Sequence, residues 1–393
     1  MLERESKLLQ DLREHRPFTE MYARGLTPAQ VKRELFDLFA PFSTNHEALS
    51  SYVVEFMASD AVNLRSICEK PRAMAVLRES LRVHQAALRR DRRSSLTALG
   101  SYTAAIDDGL STFWSQYHLA RSLDELELEE CLHECLRQMG SFIEGPFKPH
   151  LCELAHQARI ARERGTTCEE VLGASVGSLV NELCDFAGGS ELYSMEGVRL
   201  SQWRNVAQHL SARVEADLIA CEFGPGRSVR LSRAALIDVY KQVVDAYKAL
   251  KVSHAVVVFD CLDEMREAKL LVAPKRPQRA ESSLLVFASG LASQGFEVVD
   301  MQLSSGESRM VLRDMSTLNP AERRAHATQF LIPLFSMAPA NNVVVEYREF
   351  DGTPSFRAVA AKEVFERAKQ AEDWTMVARE MQVTHLKADK HPA

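Results

Sequence analysis

The chain has 393 residues, 46% of them hydrophobic and 26% charged, and its 48 Lys plus Arg against 54 Asp plus Glu leave a formal net charge of −6. That length predicts two or three domains with separate cores, and the mild acidity argues against a uniformly basic surface that coats nucleic acid. The charged N-terminus, MLERESKLLQDLREHR, lacks a signal-peptide pattern, and no stretch approaches the ~20 apolar residues of a membrane span. Eight cysteines without a C-x-x-C pair read as reduced thiols of a cytoplasmic protein. Secreted, membrane, fibrous and disordered classes are set aside on these grounds.

From Met1 to about Leu250 the apolar period is helical. Thr27-Pro28-Ala29-Gln30, Thr44-Asn45-His46-Glu47 and Ser122 with Glu125 have capping-box spacing. Val31, Leu35, Leu38 and Phe39 then mark a buried helical face. Further helices are predicted over 46–58, 72–90, 102–120, 125–140, 144–163, 168–187 and 199–212. A hairpin follows, Leu218–Phe223 and Ser228–Leu231 around Gly224-Pro225-Gly226, and Ser232 caps a helix running to about Leu250.

Beyond Lys251 the pattern changes. Ala255–Phe259 predicts a buried strand, 272–279 a loop, and Ser282–Ser293 a helix. Phe296–Leu303 and Arg309–Arg313 predict one hairpin, and Val343–Tyr347 and Phe356–Ala360 a second around Asp351-Gly352. Between the hairpins Asn319-Pro320 caps a helix, and a last helix starts near Lys362. The tail from Lys387 is polar and expected to fray. The expected architecture is an α-helical N-terminal two-thirds with a short β-hairpin, plus a C-terminal α+β domain with a mostly antiparallel sheet. Its segments are a helical extension over 1–122, a helical domain over 123–250 and the α+β domain over 251–393.

The segment Trp203-Arg204-Asn205-Val206-Ala207-Gln208-His209 has chemical character. Three Arg/His pairs fit an R-x4-6-H spacing: Arg204 with His209, Arg78 with His84, and Arg379 with His385. Only Arg204 is followed by an amide, and only this pair lies late in a helical bundle ahead of a hairpin. The segment resembles the R-x4-6-H motif of the HEPN family of small helical domains, and the resemblance spans roughly residues 125–250. It implies a metal-independent endoribonuclease of toxin or abortive phage-defence type, with RNA as substrate, no cofactor and no catalytic metal. It also implies a homodimer whose two motifs line one cleft.

The chemistry fits those residue types. Metal-free RNA cleavage needs a base for the 2′-hydroxyl, and histidine, titrating near 6.5, is suited to the task. A guanidinium suits the anionic phosphorane. His209 is therefore the expected base or acid and Arg204 the phosphate holder, with Asn205 orienting the imidazole or bonding the phosphate. Positions five apart diverge by about 140° on a helix, so the two side chains border one groove only if a second copy faces them. The other reading is a non-catalytic HEPN-like module that recognises a regulatory protein or a nucleic acid.

Three weaker patterns accompany the motif. Arg78, Arg82, Arg89 and Arg93 fall on one helical face and could grip RNA phosphates, or form a solvated face paired with the acidic stretch 124–134. Cys131 and Cys135, then Cys152 and His156, are two i, i+4 pairs that would suit zinc if they faced each other, or else small buried side chains. Asp260, Asp263 and Glu264 after the predicted strand could hold magnesium, or simply open a helix.

Overall fold

The computed structural model describes residues 17–117, 123–188, 192–271, 280–316 and 318–386. The cap at Ser122, the loop over 272–279 and the tail from Lys387 lie outside the described residues. The described residues divide into two compact units, one falling within 38–49 and 60–278, the other within 1–37, 50–59 and 279–393.

The first unit is helical. Its long elements are α3 (His46–Cys68, in part), α4 (Pro71–Arg90), α5 (Arg92–Tyr117), α6 (Leu128–Phe142), α7 (Lys148–Ala161), α9 (Val176–Phe186), α10 (Leu200–His209) and α11 (Arg233–Asp260), with short helices α8 (Cys168–Leu172) and α12 (Leu262–Glu267). Two small antiparallel sheets are attached, β1 (Ser194–Met195) with β2 (Val198–Arg199), and β3 (Ala212–Glu215), β4 (Leu218–Glu222) and β5 (Ser228–Leu231) in that order. The predicted hairpin is β4–β5, and β3 extends it on the far edge. Ser232 caps α11 as expected, its side chain accepting from the Ala235 amide.

Residues 255–259 are helical, which corrects the strand expected there. The buried positions Leu236, Val239, Val243, Ala246, Leu250, Ser253 and Val257 keep a helical period across Leu250 without a Gly or Pro. Burial on that face outweighs the strand preference of Val256, Val257 and Val258. One helix about 42 Å long results, and the boundary expected at 250 falls inside it. Residues 251–271 accordingly belong to the helical unit, while residues 17–37 and 50–59 of the expected N-terminal extension belong to the other.

The second unit is α+β. A five-stranded sheet runs β10 (Gln382–His385), β9 (Pro354–Ala361), β8 (Asn342–Arg348), β7 (Glu307–Asp314), β6 (Phe296–Leu303), antiparallel except between β7 and β8. One face packs Met310, Leu312, Val343, Val345, Tyr347 and Phe356 against α13 (Ala280–Ser293), α14 (Pro320–Thr328), α15 (Leu331–Met337) and α16 (Lys362–Gln370). The opposite face carries cross-strand ion pairs such as Arg309 with Glu346 at 2.7 Å. Helices α1 (Pro17–Ala23) and α2 (Pro28–Phe39) join this unit, with the expected reciprocal cap between Thr27 and Gln30. The short helix α17 (Thr375–Glu380) and the edge strand β10 were not expected from the sequence.

At one end of the sheet Asp314 and Arg323, both almost fully buried, form a bidentate pair. Tyr347 donates to Asp314 at 2.7 Å, and Arg323 donates to the carbonyls of Gln294 and Gly295 at 2.9 Å each. Gly295 has φ +83°, and an added Cβ would meet the Tyr22 ring at 3.0 Å and Arg323 at 3.2 Å, so only glycine fits there. Tyr22 itself donates to the Ser293 carbonyl, which docks α1 on the sheet domain.

Among the described residues no helix is long and apolar enough to cross a membrane.

Candidate functional site

The Arg204 motif lies on α10. Leu200, Trp203, Val206 and Ala207 form its buried face. Trp203 is fully buried, donates to the Met195 carbonyl at 3.0 Å and meets Phe223 edge-on, which fixes the rotation of the helix. Gly140 of α6 faces Ala207; a Cβ at Gly140 would sit 3.3 Å from the Ala207 methyl, so the two helices approach closely. With that face inward, Arg204 is half-buried and Asn205, Gln208 and His209 are exposed.

Between α6 and α7 residues Ile143–Phe147 form a π-helical turn. Pro146 has no N–H to continue the α ladder, and the wider turn absorbs the defect. The turn carries Glu144, which lies against α10. Arg204 Nε donates to Glu144 Oε1 at 2.5 Å, Gln208 Nε2 reaches the same oxygen at 3.4 Å, and Lys148 Nζ lies 3.7 Å from Oε2. Arg204 Nη1 donates to Asn205 Oδ1 at 3.2 Å. These contacts engage two of the five guanidinium N–H groups and hold the side chain at the surface.

His209 is the last residue of α10 and is exposed. Neither a hydrogen bond nor an ion pair joins it to Arg204, as the five-residue spacing requires. Leu210 ends the helix in the left-handed conformation, φ +49°, a strained state for a branched side chain. Its side chain is exposed, as is Leu218 at the start of β4.

The arginine stripe is interrupted. The backbone leaves the helix at Asp91, whose φ is −147°, so Arg93 lies in a new helix and no longer continues the face of Arg78, Arg82 and Arg89. Arg82 pairs with Glu79, donates to the Phe186 carbonyl and stacks over the Phe186 ring. Arg90 and Arg92 pair with Glu163 and Glu264 rather than with the 124–134 stretch.

The four candidate zinc ligands are not brought together, in keeping with the alternative of small buried side chains. Cys135 and Cys131 are buried with Cys221 nearby, and the Cys135 thiol lies against the Leu236 carbonyl. Cys152 instead points to the Val171 carbonyl at 3.4 Å, while His156 meets the Tyr102 hydroxyl at 3.1 Å. Burial raises the Cys152 thiol to about 11, so it is a protonated core side chain.

Asp260 ends a helix instead of a strand. It accepts from the Ser43 hydroxyl and from the Thr44 and Asn45 amides, and so ties down the start of α3. The cap of α3 is Asn45, one residue after the expected Thr44, whose own hydroxyl goes to Asp260. Glu264 is held by Arg92, so the magnesium reading of these acids has no support in the geometry.

Two features were not found from the sequence. Glu144 sits sixty residues from Arg204, and only the Gly-Pro after it hinted at an irregular turn. In the helical core, His84, Glu153 and His254 place one ligand atom each within 4.8 Å of one another. They are scattered over α4, α7 and α11 with no local spacing signature. Comparison with models of known families, with curated proteins and with solved structures returns no match.

Proposed function

We propose that the chain is a metal-independent endoribonuclease of toxin or abortive-defence type, a HEPN-like enzyme of the cytoplasm that acts as a homodimer. The observation that carries this reading is the α10 surface. A half-buried guanidinium is aimed by a carboxylate from a π-helical turn, an amide stands beside it, and an exposed histidine lies one turn further on. π-Turns and strained residues such as Leu210 concentrate where function requires irregular geometry.

In the proposed reaction the 2′-hydroxyl of RNA attacks the adjacent phosphorus as His209 of one copy takes its proton. Arg204 stabilises the phosphorane through its remaining N–H groups. The bond from phosphorus to the 5′-oxygen then breaks, and His209 of the second copy returns a proton to the leaving oxygen. The products are a 2′,3′-cyclic phosphate and a 5′-hydroxyl. The exposed Leu210, next to His209 in the chain, supplies apolar area for pairing of two copies.

Cleavage of a mixed RNA pool tests this, with chelator added at the start of the assay and helical circular dichroism followed in the same sample. Wild type is expected to cleave, and Arg204→Ala and His209→Ala to lose about 10²–10⁴-fold. Equal cleavage by all three proteins overturns the catalytic reading. The ion pair with Glu144 also favours the second reading, a binding module in which Arg204 is neutralised and structural. In that case Glu144→Gln lowers thermal stability while RNA stays intact throughout.

A further inference from the structure

We propose that His84, Glu153 and His254 bind a divalent transition-metal ion, zinc by preference, in the core of the helical unit. This site is separate from the α10 surface and does not depend on the ribonuclease reading.

The tautomer of His84 is set by its surroundings. Its Nδ1 lies 2.7 Å from the Ser80 carbonyl, which can only accept, so Nδ1 carries a proton and Nε2 is turned inward. Metal-binding imidazoles are oriented in the same way, with the far nitrogen donating to a backbone carbonyl. Nε2 faces Glu153 at 3.0 Å and 3.2 Å. Glu153, 1% exposed, accepts a further bond from Gln157 at 3.0 Å, an outer contact that fixes the carboxylate plane. From α11, His254 Nδ1 lies 3.7 Å from Glu153 Oε2 and has no hydrogen-bond partner although the atom is buried.

The spacing suits the ion. Zinc with nitrogen and oxygen ligands at about 2.0–2.1 Å in a tetrahedron sets neighbouring donor atoms about 3.3 Å apart. The separations of 3.0 and 3.7 Å bracket that value, and all three donors lie within 4.8 Å of one another. Glu153 supplies the carboxylate among the three donors.

A plain His84–Glu153 ion pair leaves a defect that the metal removes. Two charges in a core lose much of their hydration, and the buried nitrogen of His254 is left without a hydrogen-bond partner. A Zn²⁺ ion would use that nitrogen, the Glu153 carboxylate and Nε2 of neutral His84, whose proton is released to solvent on binding. His150, 3% exposed, is a second buried imidazole whose Nδ1 has no partner, and its ring centre is 5.5 Å from that of His254. Nearby Lys251 is paired with Asp60, so its charge is offset.

The test uses the untagged full-length chain. Metal content is measured after gel filtration, then the metal is stripped with chelator and Zn²⁺ or Co²⁺ is added back. One metal ion per chain is expected, together with a melting temperature that rises on adding Zn²⁺ and visible Co²⁺ absorption of tetrahedral type. His254→Ala and Glu153→Gln should each weaken Zn²⁺ binding by at least about 100-fold. His254→Ala guards against the case in which Glu153→Gln fails to fold, because His254 lies at the edge of the core. Substoichiometric metal with no thermal response to Zn²⁺ overturns the proposal. So does full metal content in both variants, which would place the ion elsewhere.

Discussion

Each unit of this chain buries a network of charged groups, and the two are built to different standards. In the α+β unit, Asp314 accepts from Arg323, Tyr347 and Ser316, while Arg323 spends its other N–H groups on two carbonyls and lies over the Phe296 ring. In the helical unit, His84 and Glu153 are paired, but His254 and His150 each keep a buried nitrogen without a partner. A network in which every guanidinium nitrogen and both carboxylate oxygens have partners explains itself as structure. One that leaves ring nitrogens open at ligand distance asks for a further atom, and that contrast motivates the metal proposal.

Removing one member of the satisfied network gives the largest expected effect. Arg323→Ala leaves the Asp314 carboxylate and two carbonyls without their donors, and should destabilise the protein by about 3–5 kcal/mol. Urea unfolding followed by near-ultraviolet circular dichroism measures it. A loss under about 1 kcal/mol would mean that the network contributes little and that the two units do not differ in the way described. The joint replacement Asp314→Leu, Arg323→Met, Tyr347→Phe removes both buried charges together, leaving only the two carbonyls and Ser316 without these partners, and should lose less than the single change.

Asp314 also gives the comparison a pH signature. Burial would raise its carboxyl, but the hydrogen bonds from Arg323, Tyr347 and Ser316 win and lower it from the usual 3.8. An acid whose folded value is depressed binds fewer protons when folded, so its stabilisation is full above about pH 4 and fades as pH falls through the folded value. Stability measured between pH 6 and 3 should therefore decline less steeply in Asp314→Asn than in wild type. Parallel curves would refute the assignment.

A third prediction concerns the turn that carries Glu144. A Cβ at Gly109 would lie 2.6 Å from the Gly145 carbonyl oxygen, a backbone atom that cannot swing aside. Gly109→Ala should destabilise by about 1–3 kcal/mol from overpacking, reduced by the better helix propensity of alanine. Gly145→Ala, with no contact under 3.7 Å, should be nearly neutral. If RNA cleavage is seen, Gly109→Ala should also lower it by displacing Glu144, and Gly145→Ala should not.

How far the sequence could be read follows from where the information lay. Periodicity located almost every helix and both C-terminal hairpins, because one buried face repeats locally at 3.6 or 2 residues. It failed at 255–259, where local β-propensity and long-range helical burial disagree and only the packing decides. It also could not assign residues 17–37 and 50–59 to the sheet unit, since neither the Tyr22–Ser293 bond nor the Lys32–Ser51 bond leaves a local trace. Within the candidate site, Arg204, Asn205 and His209 were legible as a compact motif. Glu144 and the cluster of His84, Glu153 and His254 were not, being joined only by tertiary structure.

The smallest expected effect is the most discriminating for the α10 surface, because its two readouts move in opposite directions. Leu210 holds φ +49° immediately after His209, a conformation costing a β-carbon residue roughly 1–2 kcal/mol that glycine adopts freely. Glycine also gives the unfolded chain more freedom, which takes back up to about 1 kcal/mol. With the side chain exposed, little packing is lost within the chain. Leu210→Gly should therefore leave monomer stability unchanged or raise it by at most about 1 kcal/mol. A strained, exposed leucine with no role would be improved by this change at no other expense. A leucine that pairs two copies across the α10 face would instead lose self-association, seen as a larger dimer dissociation constant in sedimentation equilibrium, together with RNA cleavage. Unaltered association and cleavage in Leu210→Gly would remove the apolar contact from the proposed interface and leave Arg204, Asn205 and His209 to find their second copy by another surface.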